Sequence, residues 1–172
     1  MEGFGLGLRV KNAMKNRILT IVAASLLALS SCSQMNEQKY NDTVVNMYSG
    51  YVANISSEMA AVSSSSDKQK SQAELQRIER TTDSCIGVMN SLKPSDAAKE
   101  FHGKVLAVFQ MIKANFIPLA GKMVRMDANG DADAYNKLVT ELTSLGMAID
   151  QAESAAQTAQ QAYASKIGMQ MK

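Results

Sequence analysis

The side chains of this chain that could do chemistry are few, and each can be judged on its spacing. Asp127-Ala128-Asn129-Gly130-Asp131-Ala132-Asp133 alternates oxygen-bearing residues as the first half of an EF-hand calcium loop does. The pattern then fails, because Ala132 replaces the glycine of the sixth position and Leu138 the glutamate of the twelfth. The same residues make a capped turn between two helices, and that reading is preferred. His102 is the sole histidine, and neither a set of zinc ligands nor a poised nucleophile accompanies it. It reads as a surface or boundary residue. No Glu-x-x-His pair occurs, which removes the di-iron carboxylate sites of helical bundles. Cys85 falls at heptad spacing with Ile78, Thr82 and Met89, where a thiol acts as a small, inert hydrophobe. No catalytic, metal or cofactor motif is left.

Cys32 is the exception. A basic head, Lys15-Asn16-Arg17, precedes the largely apolar Ile18 to Leu29, and Leu29-Ser30-Ser31-Cys32 follows. This is the layout of a secretory signal with a cysteine in place of the usual small-residue cleavage site. Those four residues resemble a bacterial lipobox. The resemblance implies removal of residues 1–31, diacylation of the Cys32 sulfur, and Cys32 as mature N-terminus. A membrane-spanning helix needs about 20 apolar residues, and twelve are too few. Starting at Met14 gives a signal with its charges in front, and residues 1–13 then read as an upstream extension. With Cys32 lipidated, Cys85 has no partner for an intramolecular bridge.

The chain's net charge of +2 belongs to that leader, which holds Arg9, Lys11, Lys15 and Arg17 against Glu2. The remainder has fourteen bases against fifteen acids, with no basic patch interleaved with aromatics, so nucleic acid is not expected as a partner. An apolar fraction of 46% supports a core, while only 5% aromatics and two prolines favour helices.

Four helical stretches follow a short polar tether, residues 32–38. The first runs from Lys39 to Val62 and stops at the serines 63–66. The second is capped by Asp67 and ends before Pro94, with a seam Leu75, Ile78, Thr82, Cys85, Met89, Leu92 at 3-4 spacing. The third starts at a Ser95 cap and reaches about Met126 along Phe101, Val105, Val108, Ile112, Phe116, Leu119 and Met123. The fourth follows Tyr135, Leu138, Leu142, Leu145, Ile149, Ala152, Ala156, Ala159 and Tyr163. Short connections predict an all-α domain over 39–172, an antiparallel up-down-up-down four-helix bundle with a long C-terminal helix. Leu142 should be deep in its core, so that Leu142→Asp unfolds it. The alanines of the fourth helix mark either a close approach of a neighbour or an end overhanging the shorter helices.

Pro118 interrupts the third helix, where it should free the carbonyl of Ala114 and kink the chain. A bend around the core is the simpler consequence. The alternative is a pocket at the kink lined by Phe116, Pro118, Leu119 and Met123.

Three short pieces are similar to a family of small bacterial surface proteins, named from a leptospiral member and common in Bacteroides-like bacteria. They are Tyr40-Asn41-Asp42, Pro94-Ser95-Asp96 leading into Phe101, and Ala159-Gln160-Gln161-Ala162-Tyr163-Ala164. The resemblance implies a helical envelope lipoprotein and brings no catalytic residues. Surface export in that group is associated with acids just after the lipidated cysteine, and Ser33 to Glu37 offers one. Ser33 rather than Asp favours the outer membrane, facing the periplasm. The expected function is therefore non-enzymatic: a lipid-anchored scaffold or binding module for another envelope protein, without cofactor. A small-ligand carrier using the Pro118 region is the alternative, and an enzyme with scattered carboxylates the third choice.

Overall fold

The computed structural model describes residues 32–126 and 131–169, and every regular element among them is helical. The elements are α1 (Cys32–Ser64), α2 (Lys68–Ser91), α3 (Lys99–Met111), a π-helical turn (Ile112–Phe116), α4 (Ile117–Arg125) and α5 (Ala132–Lys166). The protein is an all-α helical bundle, as its periodicity leads one to expect. The leader, residues 1–31, and the turn residues 127–130 lie outside the described residues. No described helix is long and apolar enough to cross a membrane.

The helix ends follow local chemistry. The Asp67 carboxylate accepts from the backbone N–H groups of Gln69 (2.8 Å) and Lys70 (3.3 Å), the cap that its position implies. Leu92 turns extended ahead of Pro94 and closes α2. The hydroxyls of Ser63 and Ser64 bond back to Met59 and Ala61 carbonyls where α1 gives out. At the other end α1 departs from expectation, since it begins at Cys32 rather than Lys39. The stretch read as a tether is helical. It contains no Gly or Pro, and Glu37 within it is tied to α5, so tertiary contact supports a turn that propensity alone left open.

Partners on different helices fix how the chain packs. Val62 meets Ser71 and Tyr51 meets Thr82, so α1 and α2 run antiparallel. Glu37 meets Tyr163, Asn41 meets Gln160 and Tyr48 meets Glu153, so α1 and α5 do too. Tyr51 stacks edge-on against Phe109 at 4.8 Å between centroids, across the middle of the bundle. The expected seam of α2 is buried from Leu75 to Met89, with Leu92 packed against its edge.

The third helical stretch is where the periodicity misleads. Phe101, Val105, Val108 and Ile112 are buried as expected, but the next buried residues are Ile117, Ala120 and Gly121, not Phe116, Leu119 and Met123. The π-turn explains the slip. The Ile117 N–H reaches back five residues to the Ile112 carbonyl, which inserts one residue and rotates all that follows by about 100°. Pro118 then falls in the first turn of α4, on its exposed face, where a missing N–H matters least. The Lys113 ammonium, 2.6 Å from the Asp83 carboxylate, fastens the π-turn to α2.

In α5 the alanines mark a close approach of a neighbour, the first of their two readings, while the leucines depart from expectation. Its alanine half is the buried half: Ala156, Ala159, Tyr163 and Ala164 lie in the interior beside α3. The leucine half is only half-buried at Leu138, Leu142 and Leu145, and Met147 is 58% exposed. Small side chains let the α3 backbone come close, whereas the long neighbour α1 stays further off and leaves the leucines partly uncovered. Leu142 is thus no deep core position. Val108→Asp, at a site with 0% exposure, should abolish cooperative folding, whereas Leu142→Asp should stay helical and lose about 1–2 kcal/mol in urea denaturation.

Candidate functional site

α1 and α5 form the wide seam of the bundle. Their backbones stay further apart than those of the other neighbouring helices, and long polar side chains span the gap. The Tyr163 hydroxyl donates to the Glu37 carboxylate at 2.6 Å and also lies 2.8 Å from its backbone carbonyl. The Gln160 amide donates to Asn41 Oδ1 at 3.1 Å, and the Tyr48 hydroxyl donates to Glu153 Oε1 at 2.6 Å. Tyr40 lies between α1 and α3, its hydroxyl 2.7 Å from His102 Nδ1 and its ring edge-on to Tyr163. Phe101 stacks on the Tyr163 ring at 5.8 Å between centroids.

Burial governs the electrostatics of this ladder. It pushes the Tyr40 phenol up to about 12, with help from the Glu37 charge. Tyr48 and Tyr163 move further in the same direction, so all three phenols keep their protons, and Tyr48 and Tyr163 donate theirs to carboxylates. Burial also raises the Glu153 carboxyl, against the bond from Tyr48, which favours the charged form. His102 is shifted downward by burial, which keeps the ring neutral. The shifted groups of the ladder are thus spent on holding helices together. Lone reactive candidates fare no better: Cys85 is buried, and burial raises its thiol out of the reactive range.

Pro118 is exposed, while Phe116, Leu119 and Met123 are half-buried. A neighbouring open depression of about 510 Å³ lies between α4 and α5, lined by Lys122, Arg125, Met126, Lys137, Leu138 and Glu141 among others, and includes none of the four. Asp131 accepts from the Ala134 N–H at 2.9 Å and so caps α5, the turn role assigned to it, while Asp127, Asn129 and Gly130 fall outside the described residues. Among the described residues no three His, Cys, Asp or Glu side chains come together as a metal site needs. Cys32 opens α1, and its side chain is outside what is described.

The sequence reading passed over the ladder. Its trace is visible in retrospect: Asn41 and Tyr48 are one heptad apart on α1, as are Glu153 and Gln160 on α5. Polar residues repeating at seam spacing on two helices are a signal of a polar interhelical seam.

Because the folded Glu153 carboxyl is raised, the stability that it contributes is full below the ordinary carboxylate range and is lost as pH rises through its raised value. Glu153→Gln retains an acceptor for Tyr48 and cannot ionise. Its melting temperature relative to wild type should therefore climb between pH 4 and pH 7, and calorimetry across that range measures it. Tyr163→Phe removes the donor to Glu37 and should cost about 1 kcal/mol in denaturant unfolding.

Comparison of the chain with protein-family models, with curated proteins and with solved structures finds no match to any of them.

Proposed function

We propose that this protein is a lipid-anchored module of a bacterial envelope, attached through Cys32 and acting by binding another envelope protein rather than by catalysis. The observation that carries the reading is the start of α1. The helix begins at Cys32, the very residue at which the signal-like leader would be cut, and continues unbroken to Ser64. An anchor at that position would join the membrane to a rigid rod of about 50 Å, with no loose linker between them. The membrane would then lie at the end of the bundle where the tyrosine ladder knits α1 to α5. The opposite end, with its half-buried leucines, would be held out toward a partner.

The binding role also draws on what the shifted side chains do. Tyr48, Tyr163, Glu153 and His102 are engaged in interhelical contacts rather than aimed together at a cleft. An outer-membrane position facing the periplasm fits Ser33 after the cysteine.

Growing cells on radiolabelled fatty acid tests the anchor directly. Label should enter the wild-type protein and be absent from Cys32→Ala, which should also leave the membrane fraction. Equal labelling of the two proteins, or none in either, would sink the proposal.

A further inference from the structure

Lys122 and Arg125, from the last turn of α4, and Lys137, from α5, line the open depression of about 510 Å³ between those helices, together with Met126 and Leu138. The three cations are exposed, and the two apolar side chains are half-buried. None of the ion pairs among the described residues involves Lys122, Arg125 or Lys137; the bases so engaged are Arg77, Lys99 and Lys113. Bases in a last turn commonly serve the exposed carbonyls of their own helix. Here Lys68 takes part of that duty from α2, its ammonium 3.4 Å from the Arg125 carbonyl, and adds a fourth cation at the same end of the bundle. The Arg125 guanidinium lies back along α4, with Nη1 3.4 Å from where a Cβ on the buried Gly121 would stand. A glycine at 121 thus leaves room for that head beside the depression.

The acids at this end do not cancel those charges. Asp67 accepts from the N–H groups of Gln69 and Lys70, and Asp131 from that of Ala134, so both carboxylates serve as helix caps. Neither they nor Asp133 line the depression, and Asp127 lies outside the described residues. Glu141 is the acid in the wall, which leaves three positive charges facing one negative. A doubly charged phosphate matches that excess. Its oxygens can take the two-pronged fork of an arginine and, from other directions, the ammoniums of lysines on two helices. Met126 and Leu138 call for an apolar group attached to the phosphate, and the volume lies within the range of about 300–1,000 Å³ that small-molecule sites span. We propose that the α4/α5 depression binds a small amphiphilic phosphomonoester, its phosphate on Lys122, Arg125 and Lys137 and its apolar group on Met126 and Leu138. A free phosphorylated molecule and a lipid headgroup share this chemistry. α1 runs from Cys32 to Ser64, and the start of α2 meets the end of α4, so the depression lies at the end of the bundle away from Cys32. An anchor at Cys32 would hold the site off its own membrane, which favours the free molecule.

Only that choice of source rests on the anchor proposed above; the phosphate site goes beyond the protein-binding role and is tested apart from fatty-acid labelling. The mature protein from native membranes is placed in phosphatidylcholine nanodiscs, with empty discs as control. Hexyl phosphate is titrated in by calorimetry at about pH 8, where a phosphomonoester is doubly charged. Saturable, submillimolar binding is expected, at least about tenfold tighter than that of inorganic phosphate or of hexanoate. Lys122→Gln/Arg125→Gln should weaken hexyl phosphate at least about tenfold, while Glu141→Gln should tighten it several-fold. All three side chains are exposed, and misfolding cannot produce effects of opposite sign. No saturable binding, equal binding of the phosphate ester and either reference anion, or an affinity unchanged in both variants overturns the inference. Vesicles containing phosphatidic acid form the lipid arm. Sedimentation of wild-type discs with those vesicles, without a response to hexyl phosphate, overturns it as well, because the phosphate is then a membrane headgroup.

Discussion

The spacing of α5 from its two neighbours is the constraint on which the rest of this bundle depends. On one side alanines at 156, 159 and 164 allow α3 to come close. On the other, tyrosine, glutamine and glutamate side chains hold α1 at arm's length. A buried hydroxyl or amide that spans such a gap must find a partner there, since leaving it unpaired costs about 1–3 kcal/mol. The ladder satisfies this, and in doing so it fixes the register: a one-residue slip of α5 would strand Tyr48, Asn41 and Tyr163 together. Apolar contacts alone would allow such sliding, because one alanine resembles the next.

A second register choice is made within the chain of helices α3 and α4. Two apolar stripes are available after Ile112, one through Phe116, Leu119 and Met123 and the other through Ile117, Ala120 and Val124. The π-turn selects the second. Pro118 accounts for much of the preference. A continuous α-helix would set its ring against the carbonyl of Ala114, at a cost of about 3 kcal/mol, whereas the π-turn starts a fresh helical segment in which the proline sits at the entry. The stripe thus selected is the smaller one. Ala120 and Gly121 fill less space than Leu119 and Met123 would.

What could be read from the sequence follows from how local each cause is. Caps such as Asp67, the stop at Pro94 and the 3-4 seam of α2 depend on a few neighbouring residues, and they are where the periodicity places them. The register slip at Ile112 was hidden because both stripes are apolar, and only the backbone's choice of a π-turn separates them. The burial of α5 was misjudged for a related reason. A leucine seam looks like a core, yet burial requires a facing surface, and at Leu142 and Leu145 the opposing helices do not supply one. Helix α1 was started too late because the tie between Glu37 and Tyr163 joins residues at opposite ends of the domain. The candidate ladder was legible only as a heptad recurrence of polar residues, which carries weight once the partner helix is known.

These features give the two ends of the bundle different mechanical characters. The end that holds Cys32 combines aromatic contacts among Phe101, Tyr40 and Tyr163 with the interhelical hydrogen bonds of Tyr163 and Gln160. The other end has half-buried apolar residues on α1, α4 and α5 and fewer side chains to lock them. Local opening is easiest where few apolar contacts must be broken, so fluctuation belongs to that second end. The unequal packing of α5 is therefore what separates the two ends: side chains at Leu138, Leu142 and Leu145 can shift with little loss of contact, whereas at Ala156, Ala159 and Tyr163 a shift would break close packing.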